Sequence, residues 1–387
     1  MPLDFINLQD QVNSYSQGAL FYQKRIEEQT HRALEALEHF SSDIESMRER
    51  AERTQSRVAL PASENPAEPI SAHSPKMVCN LISVDGSQIV PDPHIFPFLA
   101  LINIGIVQFP VGEKTIKPIT RSKLYKYEEL FDEMNLISED VVNIDRDVKE
   151  MEYLKEYSLI TSQPTIALRD GMLELYHEPR SEKRYRKRIT EYNTLLNQLK
   201  DNNVVVAGYV DKPRSRSLVT LLELCTDHRE ESNLLSHAFP NITDTHIFSS
   251  LLKSKQRSAI FENRAPIQTM TSNSNLNFPF YFFYLNVSQT IRPWVVRVEI
   301  PDWVAVDQEI VNLLHHTLLE QCAIMGSKPY PYCLHRAHET AVVHNHEKEE
   351  LINQITSTLI PGGVKMEENS YKQAAKDLAP RTRMEQR

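Results

Sequence analysis

Apolar residues between positions 9 and 56 recur at helical spacing. Val12, Ala19, Ile26, Ala33, Phe40 and Met47 lie seven apart; Tyr15 and Tyr22 fill the +3 companion positions first, and Leu37, Ile44 and Ala51 fill the +4 positions later. With no proline and only Gly18 in the stretch, this predicts a long amphipathic helix whose apolar stripe shifts phase midway. Such a narrow stripe suits a coiled-coil arm, a dimerisation element, a helix laid across the main domain or a helical hairpin, all of them pairing or docking roles. Residues 1–58 are accordingly read as a helical extension, and 59–76, with four prolines from Leu60 onward, as a linker.

Beyond the linker the period shortens to that of strands. "VCNLISVDGSQIV", "PFLALINIGIVQFP" and "KTIKPITRSKLYKY" are three successive candidates, followed by a helix over about 138–158 with Ser138 or Asp140 at its start. "PTIALRDGMLELY" is a fourth strand. A basic run then enters a helix with Ile189, Leu195, Leu196 and Leu199 on one face, before the strand "NVVVAGYVD" and the helix "RSLVTLLELC". "NFPFYFFYLN" and "PWVVRVEIP" are later strands, a helix follows over about 305–325, and a last helical segment runs through Leu359 to a stop at Pro361-Gly362-Gly363. A meander of three strands and then alternating helices and strands predicts an α/β fold, a mixed sheet covered by helices, in a main domain over 77–360 with a polar tail over 361–387.

Composition narrows the class only modestly: 41% apolar and 25% charged residues in 387 are ordinary for a globular protein. No apolar run reaches membrane-spanning length, and "MPLDFINLQDQ" lacks the layout of a secretory signal. Cys79, Cys225, Cys322 and Cys333 form no C-x-x-C pair, which argues against structural zinc or a disulfide framework and fits a cytoplasmic location. The net charge of −9 changes the picture more, because a protein that grips nucleic acid unaided carries a basic excess. Any nucleic-acid surface must therefore be local, or the substrate delivered by a partner.

The chemistry sits where strands end. Two apolar strands each run into Asp-Gly, at Asp85-Gly86 and at Asp170-Gly171, which would set two carboxylates side by side at one sheet edge. The intervening helix offers Glu150, Glu152 and Glu156. Carboxylates converging there call for a hard cation such as Mn²⁺ or Mg²⁺, the general device for phosphodiester cleavage. Downstream, "KPYPYCLHRAHETAVVHNHE" places Tyr330, His335 and His338 close in sequence. His335 and His338 share a helix face but lack a third zinc ligand, and His344 and His346 belong to a solvated face. A tyrosine and a histidine near the carboxylates would orient a phosphate or pass a proton to the leaving group.

Four of these stretches, "VDGSQ" (84–88), the glutamate-bearing helix, "LRDGML" (168–173) and "YPYCLHRAH" (330–338), occur in an order that resembles the NurA nuclease family over about 78–345. The resemblance implies an RNase H-like core, a mixed sheet with helices on both faces. It implies a Mn²⁺-dependent deoxyribonuclease cutting single strands and 5′ ends of duplexes, a homodimer that works with the hexameric HerA translocase in DNA end processing and repair. Carried onto this chain, it makes Asp85, Glu152 and Asp170 the metal ligands and Tyr330 and His338 further catalytic residues. Glu150 and Glu156 remain alternatives to Glu152, and Tyr332 to Tyr330. The chain departs from the family pattern in a proline-rich insertion after Asp85, containing Asp92 and His94, and in its long N-terminal helix.

The basic run "RSEKRYRKR" begins about ten residues after Asp170. Arg180, Lys183, Arg184, Arg186, Lys187 and Arg188 would track a DNA backbone, and Tyr185 would stack on a base; "TRSKLYKY" is a lesser candidate. Two rivals stand beside the nuclease: a non-cutting dimeric partner that regulates a translocase, and an RNase H-like enzyme directed at RNA.

Overall fold

The computed structural model describes residues 5–54, 56–112, 116, 118–132, 135–158, 163–175, 182–226, 237–264 and 279–362. In chain order the elements begin with α1 (Phe5–Phe40), α2 (Ile44–Arg53), β1 (Val58–Pro61), β2 (Ile70–Ser71), β3 (Asn80–Ile89), β4 (Leu101–Phe109) and β5 (Ile119–Leu124). A small hairpin of β6 (Phe131–Asp132) and β7 (Asn135–Leu136) precedes α3 (Glu139–Tyr157), β8 (Thr165–Asp170), α4 (Glu182–Asp201) and β9 (Val205–Val210). Next come α5 (Ser217–Thr226), α6 (Asp244–Leu251), β10 (Gln256–Arg257), β11 (Phe261–Arg264), β12 (Phe280–Asn286) and β13 (Val295–Pro301). The chain continues through α7 (Asp302–Ala305), α8 (Gln308–Ile324), α9 (Tyr332–Ala341) and α10 (Asn345–Leu359). No helix among the described residues is long and apolar enough to cross a membrane. The tail beyond Gly362 lies outside the described residues.

The chain folds into two compact units: Met1–Met77 with Gly171–Leu173 and Val205–Tyr332, and Val78–Asp170 with Glu174–Val204 and Cys333–Arg387. In the first, β12 is paired antiparallel with β10, β11 and β13, β1 extends the sheet beyond β11, and β9 pairs with β13. The expected N-terminal helix is present as far as Phe40 and is broken there, Asp43 capping the separate helix α2; its change of phase has a physical cause. From Ile26 onward the stripe turns inward: Ala33, Leu37, Met47 and Ala51 are buried with Leu218, Leu222, Phe248, Phe261 and Phe282. Ahead of that point Phe5, Val12, Tyr15, Leu20, Phe21 and Tyr22 are all exposed.

The stretch read as a linker carries structure. Val58–Pro61 is a strand, buried at every residue and paired with β11, and Ile70–Ser71 pairs with β10. Glu64 receives both terminal nitrogens of the buried Arg257 at 2.8 and 2.7 Å, a forked pair that pins the loop. Pro61 is the last residue of its strand, where a missing N–H costs no ladder bond, so proline content alone was a poor guide to looseness.

In the second unit β3, β4 and β5 form the expected antiparallel meander, and the chain then crosses through α3 to β8, which pairs parallel with β3. The resulting order β5-β4-β3-β8 is the RNase H-like arrangement of a mixed sheet. Helix α3 packs Val142, Val148, Met151 and Leu154 against one face, together with α4; α9 covers the other. Nearly all of β3 up to Val84 and of β4 up to Val107 is buried, as strands covered on both faces must be.

Leu37→Ala should lower the unfolding free energy by about 2–5 kcal/mol, and Val12→Ala by no more than about 0.5 kcal/mol, in urea titrations followed by circular dichroism. Equal effects would mean that the exposed half of α1 is also packed.

Candidate active site

Because strand residues alternate faces, β3 presents Ser83, Asp85 and Ser87 to one side of the sheet and Val84 and Gly86 to the other. On the first side α9 lies directly on the strands. Ser83 Oγ donates to Cys333 O at 2.8 Å, Ser87 Oγ to Ala341 O at 2.5 Å, and Asn103 Nδ2 to the same Ala341 O at 2.8 Å. The residue opposite Asp85 in β4 is Gly105, and a Cβ there would lie 2.2 Å from Ala337 O and 2.7 Å from Ala341 N. Only glycine admits the helix backbone this close. That approach sets His338 Nδ1 2.6 Å from Asp85 Oδ2. A carboxylate can only accept, so Nδ1 donates in this pair. Asp85 Oδ1 meanwhile receives the Gly86 N–H at 2.9 Å. The aspartate is 12% exposed and the histidine 60%.

The second aspartate follows from register. Val84 pairs with Arg169 in the parallel ladder, so Asp85 and Asp170 are the next facing positions on adjacent strands; β8 ends at Asp170, whereas β3, expected to stop at Asp85, runs on to Ile89 in its pairing with β4. Neighbouring strands lie about 5 Å apart. Arg169 points to the α3 side, so the alternation turns Asp170 to the side of Asp85 and His338. Strand β8 stops there because Gly171 takes a positive φ of 92°.

On the α3 side, Gly86 makes the same allowance for a side chain. A Cβ on it would lie 2.6 Å from Glu150 Oε1 and 2.7 Å from Arg146 Cγ. Glu150 is buried and accepts from Arg169 Nε at 2.7 Å, with Arg146 Nε at 3.4 Å; Arg169 Nη2 reaches Asp147 at 2.5 Å and Arg146 Nη2 reaches it at 3.2 Å. Two carboxylates, the buried Arg169 and the half-buried Arg146 thus close a network directly behind Asp85. Burial raises the Glu150 carboxyl to about 7; Arg169 opposes the shift and Asp147 adds to it.

The sequence-derived candidates fall into distinct places. Glu152 faces away from this network, pairs with Lys149 at 2.5 Å and lines a cavity of about 380 Å³ with Lys123, Lys187 and Glu191. Glu156 is exposed near the end of α3. Tyr330 lies in the first unit, its ring edge-on to Tyr209 with centroids 5.4 Å apart, and Tyr332 opens α9. His335 turns to Glu339 at 3.5 Å, and His344 and His346 are exposed and stacked on each other. Asp92 caps its own loop by accepting the His94 N–H. Among the described residues no three His, Cys, Asp or Glu side chains form a ready metal cage.

The basic run is divided. Arg180 lies outside the described residues, and of Lys183 only the helical backbone is described. Arg184 and Arg188 point inward to the buried Asp145, at 2.9 and 2.6 Å, which also accepts the Tyr125 hydroxyl. Burial works against the Asp145 carboxylate, but the two guanidiniums hold it below the ordinary range. Arg186 and Lys187 are on the exposed side of α4, and Tyr185 is half-buried.

Residues that the sequence pattern did not single out turn out to hold this site together. Gly105 had a signal, a lone glycine inside a strand pattern, which marks close backbone approach. Arg169, Arg146 and Asp147 had none, since periodicity says nothing about which buried charges meet.

Arg169→Met should cost about 3–5 kcal/mol of stability by leaving the buried Asp147 and Glu150 with only the half-buried Arg146 as a cation, and Glu150→Gln in that background should recover part of the loss. Thermal and urea unfolding would read both; an additive double variant would deny the coupling. Gly105→Ala removes no functional group, yet it should cost about 1–3 kcal/mol and depress activity by lifting α9 and parting His338 from Asp85. Wild-type stability in this variant would show that the helix is not seated on that glycine.

Comparison with known proteins places the chain. Among solved structures it resembles a crystal structure of NurA with manganese, at 11% identity over 74% of this chain and 91% of that one, with a TM-score of 0.37. It resembles a crystal structure of NurA bound to dAMP and manganese at 13% identity, over 72% and 88% of the two chains, with a TM-score of 0.35. An Argonaute from Aquifex aeolicus matches at 10% identity over 70% of this chain, with a TM-score of 0.32; the match spans only 29% of that protein. No curated protein matches the sequence. The family model of the NurA domain matches residues 79–343, more than half of the sequence, and the chain belongs to the NurA family of nucleases.

Proposed function

We propose that the chain is a divalent-metal-dependent deoxyribonuclease whose site is built on Asp85, Asp170 and His338. The observation that carries this reading is the facing register of Asp85 and Asp170 on adjacent parallel strands, with His338 held 2.6 Å from Asp85 on the same side. The donor set fits a hard cation in kind: the two carboxylates suit Mn²⁺ or Mg²⁺. Bound by Asp85 and Asp170, the ion would supply Lewis-acid activation of water and of the scissile phosphate. His338, its proton fixed on Nδ1 by Asp85, offers its second nitrogen to take a proton from the attacking water or to hold the phosphate through that water. Of the helix carboxylates, Glu150 rather than Glu152 is the one placed behind Asp85, where Arg169 and Arg146 fix it.

The manganese named with the solved NurA structures supports Mn²⁺ as the ion for this chain. We extend the reading to cleavage of single strands and of duplexes from 5′ ends, in end processing by a homodimer working with a HerA-type hexameric ATPase in the cytoplasm. The net charge of −9 accords with DNA delivered by such a partner. A second reading, a non-cutting partner of a translocase, draws on one observation: Glu150 is committed to two arginines rather than open to a metal.

Cleavage of 5′-labelled single- and double-stranded DNA decides between them. Wild type with Mn²⁺ should cut, EDTA should abolish cutting, and fresh Mn²⁺ should restore it. Asp85→Ala and Asp170→Asn should be inactive while folded, and His338→Ala should lose about a hundredfold or more in kcat. No cutting by wild type, with or without the translocase, would favour the non-cutting partner; faster cutting of matched RNA would change the substrate.

A further inference from the structure

Two loops of the first unit carry a feature that the site above leaves unused. Strand β13 runs antiparallel beside β9, with Arg297 opposite Val210, so the segment entering β13 and the segment leaving β9 meet at one edge of the sheet. The first is the turn 287–294 and the second is "DKPRSR", 211–216. Asn286 Oδ1 accepts the N–H groups of both Ser288 and Trp294, each at 3.1 Å, which pins the two ends of the turn. The indole Nε1 of Trp294 donates to Asp211 Oδ1 at 2.9 Å, and the Lys212 ammonium lies 5.4 Å from the ring centroid. The ring is therefore held in a fixed orientation at the surface, 37% exposed.

What surrounds it is exposed and of one sign. Lys212, Arg214 and Arg292 are all exposed, and Ile291 at the tip is 102% exposed. The one carboxylate within the two loops, Asp211, is engaged by the indole. Arg216 does not contribute, because it turns inward to Glu223 and to the carbonyls of Phe239 and Ile242. An oriented tryptophan beside Lys212, with Arg214 and Arg292 exposed in the same two loops, offers what a single polynucleotide strand requires: a π-face for a base and point charges for phosphates. A protein surface would also accept tryptophan and arginine, but it has no general reason to select cations of one sign in a chain of net charge −9.

We propose that loops 211–216 and 287–294 form a contact site for single-stranded nucleic acid, with Trp294 stacking on a base and Lys212, Arg214 and Arg292 neutralising flanking phosphates. The inference rests on the nuclease reading for its ligand class. It differs from the basic run of α4, where Arg184 and Arg188 are paired with Asp145.

The test is binding of a short fluorescein-labelled oligodeoxythymidylate to the full chain in EDTA, which separates binding from cleavage. Trp294→Ala should weaken binding by about fivefold or more, and Trp294→Phe should retain most of it. Lys212→Glu with Arg292→Glu should weaken binding further and lower the slope of log affinity against log salt by about 1.4, at about 0.7 per lost phosphate contact. Tryptophan fluorescence gives a second readout, since Trp303 is the only other tryptophan; quenching by the oligonucleotide should vanish in Trp294→Phe. Variants that bind as wild type, in a protein that itself binds and cleaves DNA, would overturn this site and leave the nuclease reading intact. A wild type that neither binds nor cleaves would overturn the nuclease reading, and the proposed ligand with it.

Discussion

Everything at the candidate site depends on a helix backbone lying against a strand with no side chain between them. Where α9 crosses β4, the position opposite Asp85 is Gly105, and any Cβ there would overlap the Ala337 carbonyl. The helix is then fixed at both ends by hydroxyl and amide donors from the sheet: Ser83 to Cys333, and Ser87 and Asn103 to Ala341. These contacts leave His338 one place to be. Its ring is mostly exposed, so burial does not hold it, and the pairing with Asp85 is a consequence of where the backbone sits. Gly86 repeats the device on the opposite face for Glu150. Two glycines in register with a single aspartate let two helices approach one strand from both sides.

The α3 face solves a harder problem, because it buries Asp147, Glu150 and Arg169 beside a half-buried Arg146. Desolvation of a carboxylate or guanidinium costs several kcal/mol each, so such a network gains little stability over an apolar filling of equal volume. It is directional, however. Arg169 immediately precedes Asp170, and Glu150 and Asp147 both hold it, so the end of β8 is tied to the helix that backs β3. A hydrophobic contact would fill the same space without fixing the angle. The cost in stability is thus exchanged for a defined relation between the end of β8 and the strand beside it, as the general pattern of supported active sites requires.

Much of this was legible in the sequence, and the part that was not has a common cause. Strand order, the long helix and its shift of phase could be read because periodicity reports which side of an element is covered. The Asp-Gly ending at Asp170 could be read because a strand that stops at a charged residue is unusual in a buried sheet, but the same signal misplaced the end of β3, which carries Asp85 within it and continues to Ile89. Pairwise choices were another matter. Spacing could not separate Glu150 from Glu152, since residues two apart on a helix differ by about 200° and only the neighbouring strand decides which is covered. Nor could it show that Arg184 and Arg188 would turn inward, because their partner, Asp145, lies some forty residues away on another helix.

That inward turn bears on how an acidic chain meets a polyanion. A run of basic residues counts toward phosphate binding only if its charges are left unneutralised, and Asp145 and Glu191 neutralise much of α4. Sequence position overstates the run for this reason, and it understates the isolated Lys212, Arg214 and Arg292, which are scattered over two loops and come together only through the pairing of β9 with β13. With phosphate contacts this few, the electrostatic part of the affinity must be small and the salt dependence shallow. Stacking would then carry a larger share of binding, and stacking does not distinguish one base strongly from another. A site of that kind holds a strand loosely enough to let it slide, which suits a nuclease that is fed its substrate better than one that must search for it.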